Sequence, residues 1–323
     1  MSKIFDALQG TQSEVSDLLP ALIDDNLEVA GRSLPTPGPK PATKAVPSPA
    51  ATPESSAPEF SAVHTPAANG SIRRISLAVP ASAPLLPFEN PREHAAEQYR
   101  ILRTKIVHHP KKPKMIVISS SGRGDGKSLT AVNLCGVLSL KRDTNVLLLD
   151  ADFRRSTLHS LLGLPQVPGL AEVIAGKCSF EDAVVQTDQY PNLHILVSGE
   201  VGHLNPSELL DSASWQALCQ ELRTRYKYII IDSPPVAAVA DFELIQMAAE
   251  ATVLVVRPDH SKRTACFKAI ELVPKEKFLG VILNCAENWI FQRDDTYGYD
   301  YGKADGTLSN GVNGAKPEES ASR

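Results

Sequence analysis

Three features of the sequence predict an α/β fold with a doubly wound, mostly parallel sheet and helices on both faces. Nearly continuous apolar runs at 114–119, 145–150, 193–198, 227–232, 252–256 and 279–284 read as strands covered on both sides. Helical patterns at 128–140, 213–225, 240–249 and 261–273 fall between them. The run Ser119-Ser-Ser-Gly-Arg-Gly-Asp-Gly-Lys-Ser128 joins the first strand to the first of these helices. That order of strand, glycine loop and helix is what a phosphate-binding P-loop requires, so the class is a P-loop NTPase with its ligand at the carboxyl ends of the strands.

The chain has 323 residues, but composition divides it into one folded domain and two appendages. Thirteen of the 25 prolines lie between Pro35 and Pro91, and from Gly31 onward only isolated apolar residues interrupt Pro, Ala, Ser and Thr. Residues 1–91 therefore read as a mostly disordered N-terminal region, because such a stretch buries too little to offset its chain entropy. Within it, Ile4, Phe5 and Leu8 fall on one side of one or two helical turns over 2–9. Val15, Leu18, Leu19, Leu22 and Ile23 repeat at helical spacing, with Pro20 a breaker unless it sits in a first turn. Arg73-Arg74-Ile-Ser76 reads as a solvated bend in the linker.

Residues 92–292 form the predicted P-loop domain. It opens with a helix over Glu93–Ile106, which places Glu97, Arg100 and Arg103 on a common side. Residues 293–323 read as a flexible tail carrying three of the seven tyrosines, Tyr297, Tyr299 and Tyr301. Gly298 and Gly302 and the acids Asp294, Asp295 and Asp300 favour a solvated segment over an aromatic patch packed on the surface.

A net charge of −4 gives no basic field for nucleic acid. Five scattered cysteines lack metal-ligand spacing and are expected to be reduced thiols. No run reaches the ~20 apolar residues of a membrane span, and the start lacks the apolar core of a secretory signal. The expected location is the cytoplasm, with recruitment to the inner face of the membrane through a partner.

In the P-loop, Gly122, Gly124 and Gly126 allow the backbone to turn its N–H groups inward, at a helix N-terminus that already favours anions. Arg123, Asp125 and Leu129 complete the nucleotide-binding stretch. Lys127 is expected at the β/γ-phosphates and the Ser128 hydroxyl on Mg²⁺. Ser121 stands where the general pattern has glycine. Two strands end in acids: Val146-Leu-Leu-Leu-Asp150-Ala-Asp152 and Tyr228-Ile-Ile-Ile-Asp232. A single strand-end Asp is ordinarily a loop or helix cap. Facing a P-loop, Asp152 and Asp232 become Mg²⁺ partners beside Ser128. Asp150 becomes a candidate to orient or deprotonate an attacking hydroxyl.

These motifs resemble the bacterial tyrosine kinases of exopolysaccharide and capsule assembly, over about Glu93 to Tyr301. Leu147-Leu-Leu-Asp-Ala-Asp-Phe-Arg154 is similar to their Walker A′ motif and Ile229-Ile-Ile-Asp232-Ser-Pro-Pro to their Walker B. Glu97-x-x-Arg100-x-x-Arg103 resembles the motif through which their subunits pack into a ring. Gly169-Leu and Asn205-Pro-Ser-Glu-Leu-Leu210 also recur there, and Tyr297-Gly-Tyr299-Asp-Tyr301 resembles their terminal tyrosine cluster. The P-loop differs in its Arg123 and Leu129, where the family commonly has Pro and Thr.

The resemblance implies an ATP-dependent protein-tyrosine autokinase, with ATP and Mg²⁺ as cofactors and Asn284 beside adenine. It also implies phosphorylation of the tyrosine cluster in trans within a ring homo-oligomer. The expected partner is a transmembrane polysaccharide co-polymerase, or chain-length regulator, whose cytoplasmic tail activates the kinase. Polysaccharide biosynthesis enzymes are possible further substrates. Two alternatives stand beside it: an ATP-binding assembly subunit without transfer, and a nucleotide switch like the partitioning and septum-placing ATPases. The switch proteins carry a signature Lys in their loop, where this chain has Gly122 and Arg123.

Overall fold

The computed structural model describes residues 3–4, 72–77, 94–258 and 260–286. The helical pattern over 15–23 and the tyrosines at 297, 299 and 301 lie outside the described residues. In chain order the elements are β1 (Lys3–Ile4), β2 (Arg73–Ile75), α1 (His94–Val107), β3 (Met115–Ser120), α2 (Lys127–Ser139) and β4 (Val146–Asp150). The short elements α3 (Leu158–Leu162), α4 (Leu170–Ile174), α5 (Phe180–Ala183), β5 (Val185–Thr187), β6 (Leu193–Leu196) and α6 (Pro206–Leu210) come next. Last are α7 (Ala213–Arg225), β7 (Tyr228–Asp232), α8 (Asp241–Ala248), β8 (Ala251–Val256), α9 (Arg263–Leu272) and β9 (Phe278–Leu283).

One sheet orders the strands β1-β9-β8-β3-β7-β4-β6-β5-β2. The inner strands from β9 to β6 run parallel, as the apolar runs predict. Every residue of β3, β4, β7, β8 and β9 is buried, which explains why these strands lack a polar face. Helix α2 is itself buried from Thr130 to Ser139, because α1 lies over it and presents Tyr99, Leu102 and Ile106 to the shared core. The spacing of those three residues is the stripe that a core-facing helix needs.

Besides β6, which the apolar run at 193–198 predicts, the stretch between β4 and α7 holds turn-length elements that periodicity does not mark. Local caps set them. The Asn205 side chain accepts from Ser207 N–H at the start of α6, with Pro206 in the first turn. Ser179 and Asp182 form a capping box on α5, and Ser212 accepts from Trp215 N–H at the start of α7.

Two expectations about the N-terminal region are corrected. Lys3–Ile4 is extended, not helical, and pairs antiparallel with β9 through Leu283 and Ile282. Arg73–Ile75 is not a solvated bend: it pairs in parallel with Val185–Thr187 and ends the sheet. The Asp188 N–H donates to the Ile75 carbonyl at 2.9 Å. The Gln189 side chain clasps the strand end, accepting from Leu77 N–H at 3.1 Å and donating to Ser76 Oγ at 2.6 Å. Ile75 and Leu77 pack against the core. An open sheet edge has unmet hydrogen bonds. Here it recruits a segment whose local composition carries no strand signal.

Replacing Gln189 with Ala should release this strand locally. The expected cost is about 1 kcal/mol, with faster amide exchange at Asp188 and faster proteolysis near 72–77. Exchange at Asp188 unchanged from wild type would show that the backbone pairing holds without the clasp.

Candidate active site

The register of the sheet assembles the site. Asp150 pairs across from Asp232, and Asp232 across from Ile118, so the ends of β4 and β7 meet the loop that leaves β3. That loop enters α2 through Gly126, in the left-handed region at φ 91°. A Cβ there would stand 2.0 Å from the Asn284 Nδ2, and one at Gly124 (φ 82°) would stand 2.9 Å from the His260 Nε2. The positive φ favours glycine at both positions, and a Cβ there would also displace the Asn284 and His260 side chains.

Asp125 holds the loop in shape and faces inward, 1% exposed. Its Oδ2 accepts from Gly122 N–H at 2.9 Å and from Ser121 Oγ at 3.0 Å, and its Oδ1 accepts from Ser261 Oγ at 2.7 Å. The Gly122 N–H is therefore committed within the loop. Asn284 Nδ2 donates to the Asp125 carbonyl at 2.9 Å, and His260 Nε2 lies 2.7 Å from the Arg123 carbonyl, fixing its proton on that nitrogen.

The Lys127 ammonium lies 3.0 Å from Asp152 Oδ2 and 3.4 Å from Asp232 Oδ1. Burial acts to lower its pKa, but Asp232 and then Asp152 outweigh this and hold it above the ordinary lysine value. The Asp232 carboxyl is raised by burial against the opposing pull of Lys127 and a hydrogen bond from Ser128. Asp150 is fully buried; its Oδ1 accepts from Asp152 N–H at 3.0 Å and its Oδ2 from Ser156 Oγ at 2.7 Å. Burial, then the adjacent Asp232 charge, push its pKa up to about 7.

A cavity of about 500 Å³ opens in front of these groups. Lys127, Ser128, Leu129, Asp152, Arg123 and Gly124 line it, whereas Asp150 and Asp232 stand behind them. Arg154, Pro234, Pro235 and Val239 form further walls. Sequence reading gave Arg154 no separate role. Its guanidinium forks onto Asp241, Nε to Oδ2 at 2.7 Å and Nη2 to Oδ1 at 3.1 Å, and Ser207 Oγ donates to the same carboxylate at 2.6 Å. Burial would raise the Asp241 carboxyl, but these bonds hold it below the ordinary carboxylate range. Asp241 is 87 residues from Arg154, so no spacing could have linked them. Asp125 had a fainter signal: an acid set between two glycines of the loop.

Glu97, Arg100 and Arg103 are remote from this cavity. Arg100 Nη1 pairs with Glu97 Oε2 at 2.8 Å within α1, while Arg103 Nη1 donates to the Val137 carbonyl of α2 at 3.3 Å.

The donors fit a nucleotide with a divalent cation. The glycine loop leaves room for phosphate, and Lys127 is a partly buried cation whose present partners are carboxylates. Among the described residues, no three His, Cys, Asp or Glu side chains form a ready-made metal cage. Mg²⁺ needs none, since it binds through one or two side chains together with water and phosphate oxygens. Ser128, Asp152 and Asp232 are the residues that would hold it.

Comparison with known proteins agrees with this chemistry. Residues 113–267 match the AAA domain family. The tyrosine-protein kinase YwqD of Bacillus subtilis is 35% identical over 225 residues, which cover 68% of this chain and 92% of that one. The tyrosine-protein kinase CpsD of Streptococcus agalactiae is 34% identical over 213 residues, 65% of this chain and 90% of that one. Among solved structures, the chimerical protein CapA2B2 aligns with a TM-score of 0.59 and 30% identity, covering 65% of this chain and 92% of that one. The kinase domain of the Escherichia coli tyrosine kinase ETK gives 0.57 and 26%, covering 68% and 85%.

The buried carboxyl of Asp150 yields a test in metal-free protein. Its folded pKa lies above the unfolded value of 3.8, so its ionisation opposes folding. The penalty is absent below that value, grows as pH rises, and is complete above about 7. Asp150→Asn should therefore raise Tm more at pH 8 than at pH 5, by several degrees. Equal gains at both pH values would show that the folded carboxyl titrates normally.

Proposed function

The chain belongs to the bacterial tyrosine-protein kinases, and from that premise we propose that it is an ATP-dependent autokinase acting on the tail tyrosines of a neighbouring copy. The observation that carries this reading is the Lys127 ammonium held between Asp152 and Asp232 at the mouth of a glycine loop. Mg-ATP supplies the phosphoryl group and the divalent charge that neutralises it. Lys127 would exchange its carboxylate partners for the β/γ-phosphates, leaving Asp152 and Asp232 for the cation with Ser128. Arg123, Gly124, Gly126 and Leu129 would cradle the phosphates, and Asn284 would flank the adenine while bracing the loop from behind.

Asp150 is the proposed acceptor for the tyrosine proton. Burial raises this carboxyl above the ordinary carboxylate range, which favours its taking up a proton. It would have to release Ser156 to do so, a rearrangement ordinary between a free and a substrate-bound site.

Tyr297, Tyr299 and Tyr301 are the proposed acceptors. Tyr297 lies thirteen positions after Asn284, which at ~3.3 Å per residue span about 40 Å. That reach serves a neighbour's site as well as the chain's own. Family resemblance supports the neighbour, in a ring assembled through Glu97, Arg100 and Arg103. In that ring the exposed Glu97–Arg100 pair would exchange partners between subunits. The same resemblance supports activation by the cytoplasmic tail of a transmembrane polysaccharide co-polymerase, and a role in exopolysaccharide or capsule synthesis and export. Biosynthesis enzymes of that pathway are the proposed further substrates.

Each phosphate would add about −1.5 to −2 charge beside Asp294, Asp295 and Asp300. Held near another subunit's nucleotide, the modified tail should be repelled and the ring loosened.

Lys127→Met should lower transfer about 100-fold or more, through loss of the preorganised cation. Mixing this variant with a Tyr297→Phe/Tyr299→Phe/Tyr301→Phe chain, then mapping phosphotyrosine by mass spectrometry, tests transfer between copies. Label on the Lys127→Met tail establishes it. If neither the mixture nor wild type labels these tyrosines, even with the membrane partner's tail present, autophosphorylation of the tail is excluded. Replacing Glu97, Arg100 and Arg103 together by Ala should reduce the assembled mass in light scattering. A mass distribution identical to that of an assembling wild type would remove the ring role of α1.

A further inference from the structure

A second cavity, of about 310 Å³, lies at the opposite edge of the sheet, where β4 and β7 begin. Arg103 and His108 reach it from the end of α1, Lys141 from just beyond α2, and Lys227 from the residue before β7. Among the described residues no carboxylate lines it. Thr144 and Tyr228 add hydroxyl groups, and Leu138 an apolar wall. We propose that this cavity is an anion site for a small ligand bearing a phosphate or diphosphate group.

Helices α1 and α2 both end here, and basic residues gather at helix C-termini to complement the dipole. That role is already filled for α2. Arg103 Nη1 donates to the Val137 carbonyl at 3.3 Å, and Asn192 Nδ2 donates to the carbonyls of Ser139 at 3.1 Å and Lys141 at 3.3 Å. The ammonium groups of Lys141 and Lys227 have no ion pair among the described residues. The Thr144 side chain is 2% exposed, and its hydroxyl makes only a 3.5 Å contact with the Arg142 carbonyl. The Tyr228 hydroxyl has no hydrogen-bond partner among the described residues.

Two ammonium groups without an ion pair among the described residues and two under-used hydroxyls thus converge on one recess, with the Arg103 guanidinium at its wall. A planar guanidinium fork beside point-charge lysines suits phosphate oxygens. The volume is at the lower end of the range for small-molecule sites, enough for a phosphate with a compact organic group. Such a ligand has two sources: a free phosphorylated metabolite, or a phosphotyrosine side chain from the tail. Tyr228 starts the strand that ends at Asp232, so an occupied cavity abuts the same strand as the nucleotide site.

Pyrophosphate is the first probe, used with the Lys127→Met chain so that the P-loop contributes little. Calorimetry should detect binding, and adding Lys141→Ala and Lys227→Ala should weaken it at least about tenfold. Lys268→Ala with Lys275→Ala removes the same charge from exposed positions outside the cavity and should leave binding intact. Circular dichroism checks that both double variants are folded. A peptide covering 293–303, phosphorylated on its tyrosines, then competes with pyrophosphate. Displacement identifies the modified tail as a source, and failure to displace leaves the free phosphorylated molecule. The proposal is overturned if pyrophosphate and peptide both fail to bind at about 1 mM, or if the two double variants weaken binding equally.

Discussion

Lys127 lies between Asp152 and Asp232 at the carboxyl edge of the sheet, with Asp150 buried directly behind. Three acids and one ammonium packed this closely, with Asp150 and Asp232 shielded from solvent, cannot all carry full charge at little cost. The surroundings favour a lysine held more firmly protonated and two carboxyls, Asp150 and Asp232, pushed upward. A site of this kind is strained electrostatically until a polyanion and a cation arrive together. Nucleotide with Mg²⁺ is such a pair. The parallel sheet makes the arrangement possible, because its register brings the ends of β4 and β7 side by side.

The shape of the loop depends on a second buried acid. Asp125 gathers Ser121, Gly122 and Ser261 onto its two oxygens and leaves its carbonyl for Asn284. Ser121, which departs from the usual glycine, contributes a hydroxyl to this network and is approached by the Cys266 thiol at 3.4 Å. Residues of the β8–α9 and post-β9 segments thereby hold a loop that follows β3. Asn284 and His260 also fill the space beside Gly126 and Gly124, so the loop is shaped from outside as well as by its own backbone.

Both ends of the sheet are finished by short strands from the N-terminal region, β1 on β9 and β2 on β5. Edge strands otherwise offer unpaired backbone groups to other chains. Part of a Pro-rich region thus serves as a sheet margin, held by Gln189 and by Ile75 and Leu77 against the core.

The parallel sheet, its main helices, and the P-loop with its two acidic strand ends were legible in the sequence. Their signals are local: continuous apolar runs, a 3.6-residue stripe, glycines at fixed spacing and carboxylates at strand ends. The short helices between β4 and α7 escaped because single-turn helices carry too few residues for a period to emerge. β1 and β2 escaped because an edge strand is selected by the edge it meets, and that edge is distant in sequence. The partners of Arg154, Asp125 and Asn284 were likewise decided by the fold alone. So was the division of labour among the acids, with Asp152 facing the cavity and Asp150 enclosed behind it. Sequence fixes which charges stand at a strand end, but desolvation and neighbouring charge, which set their protonation, exist only once the strands are packed.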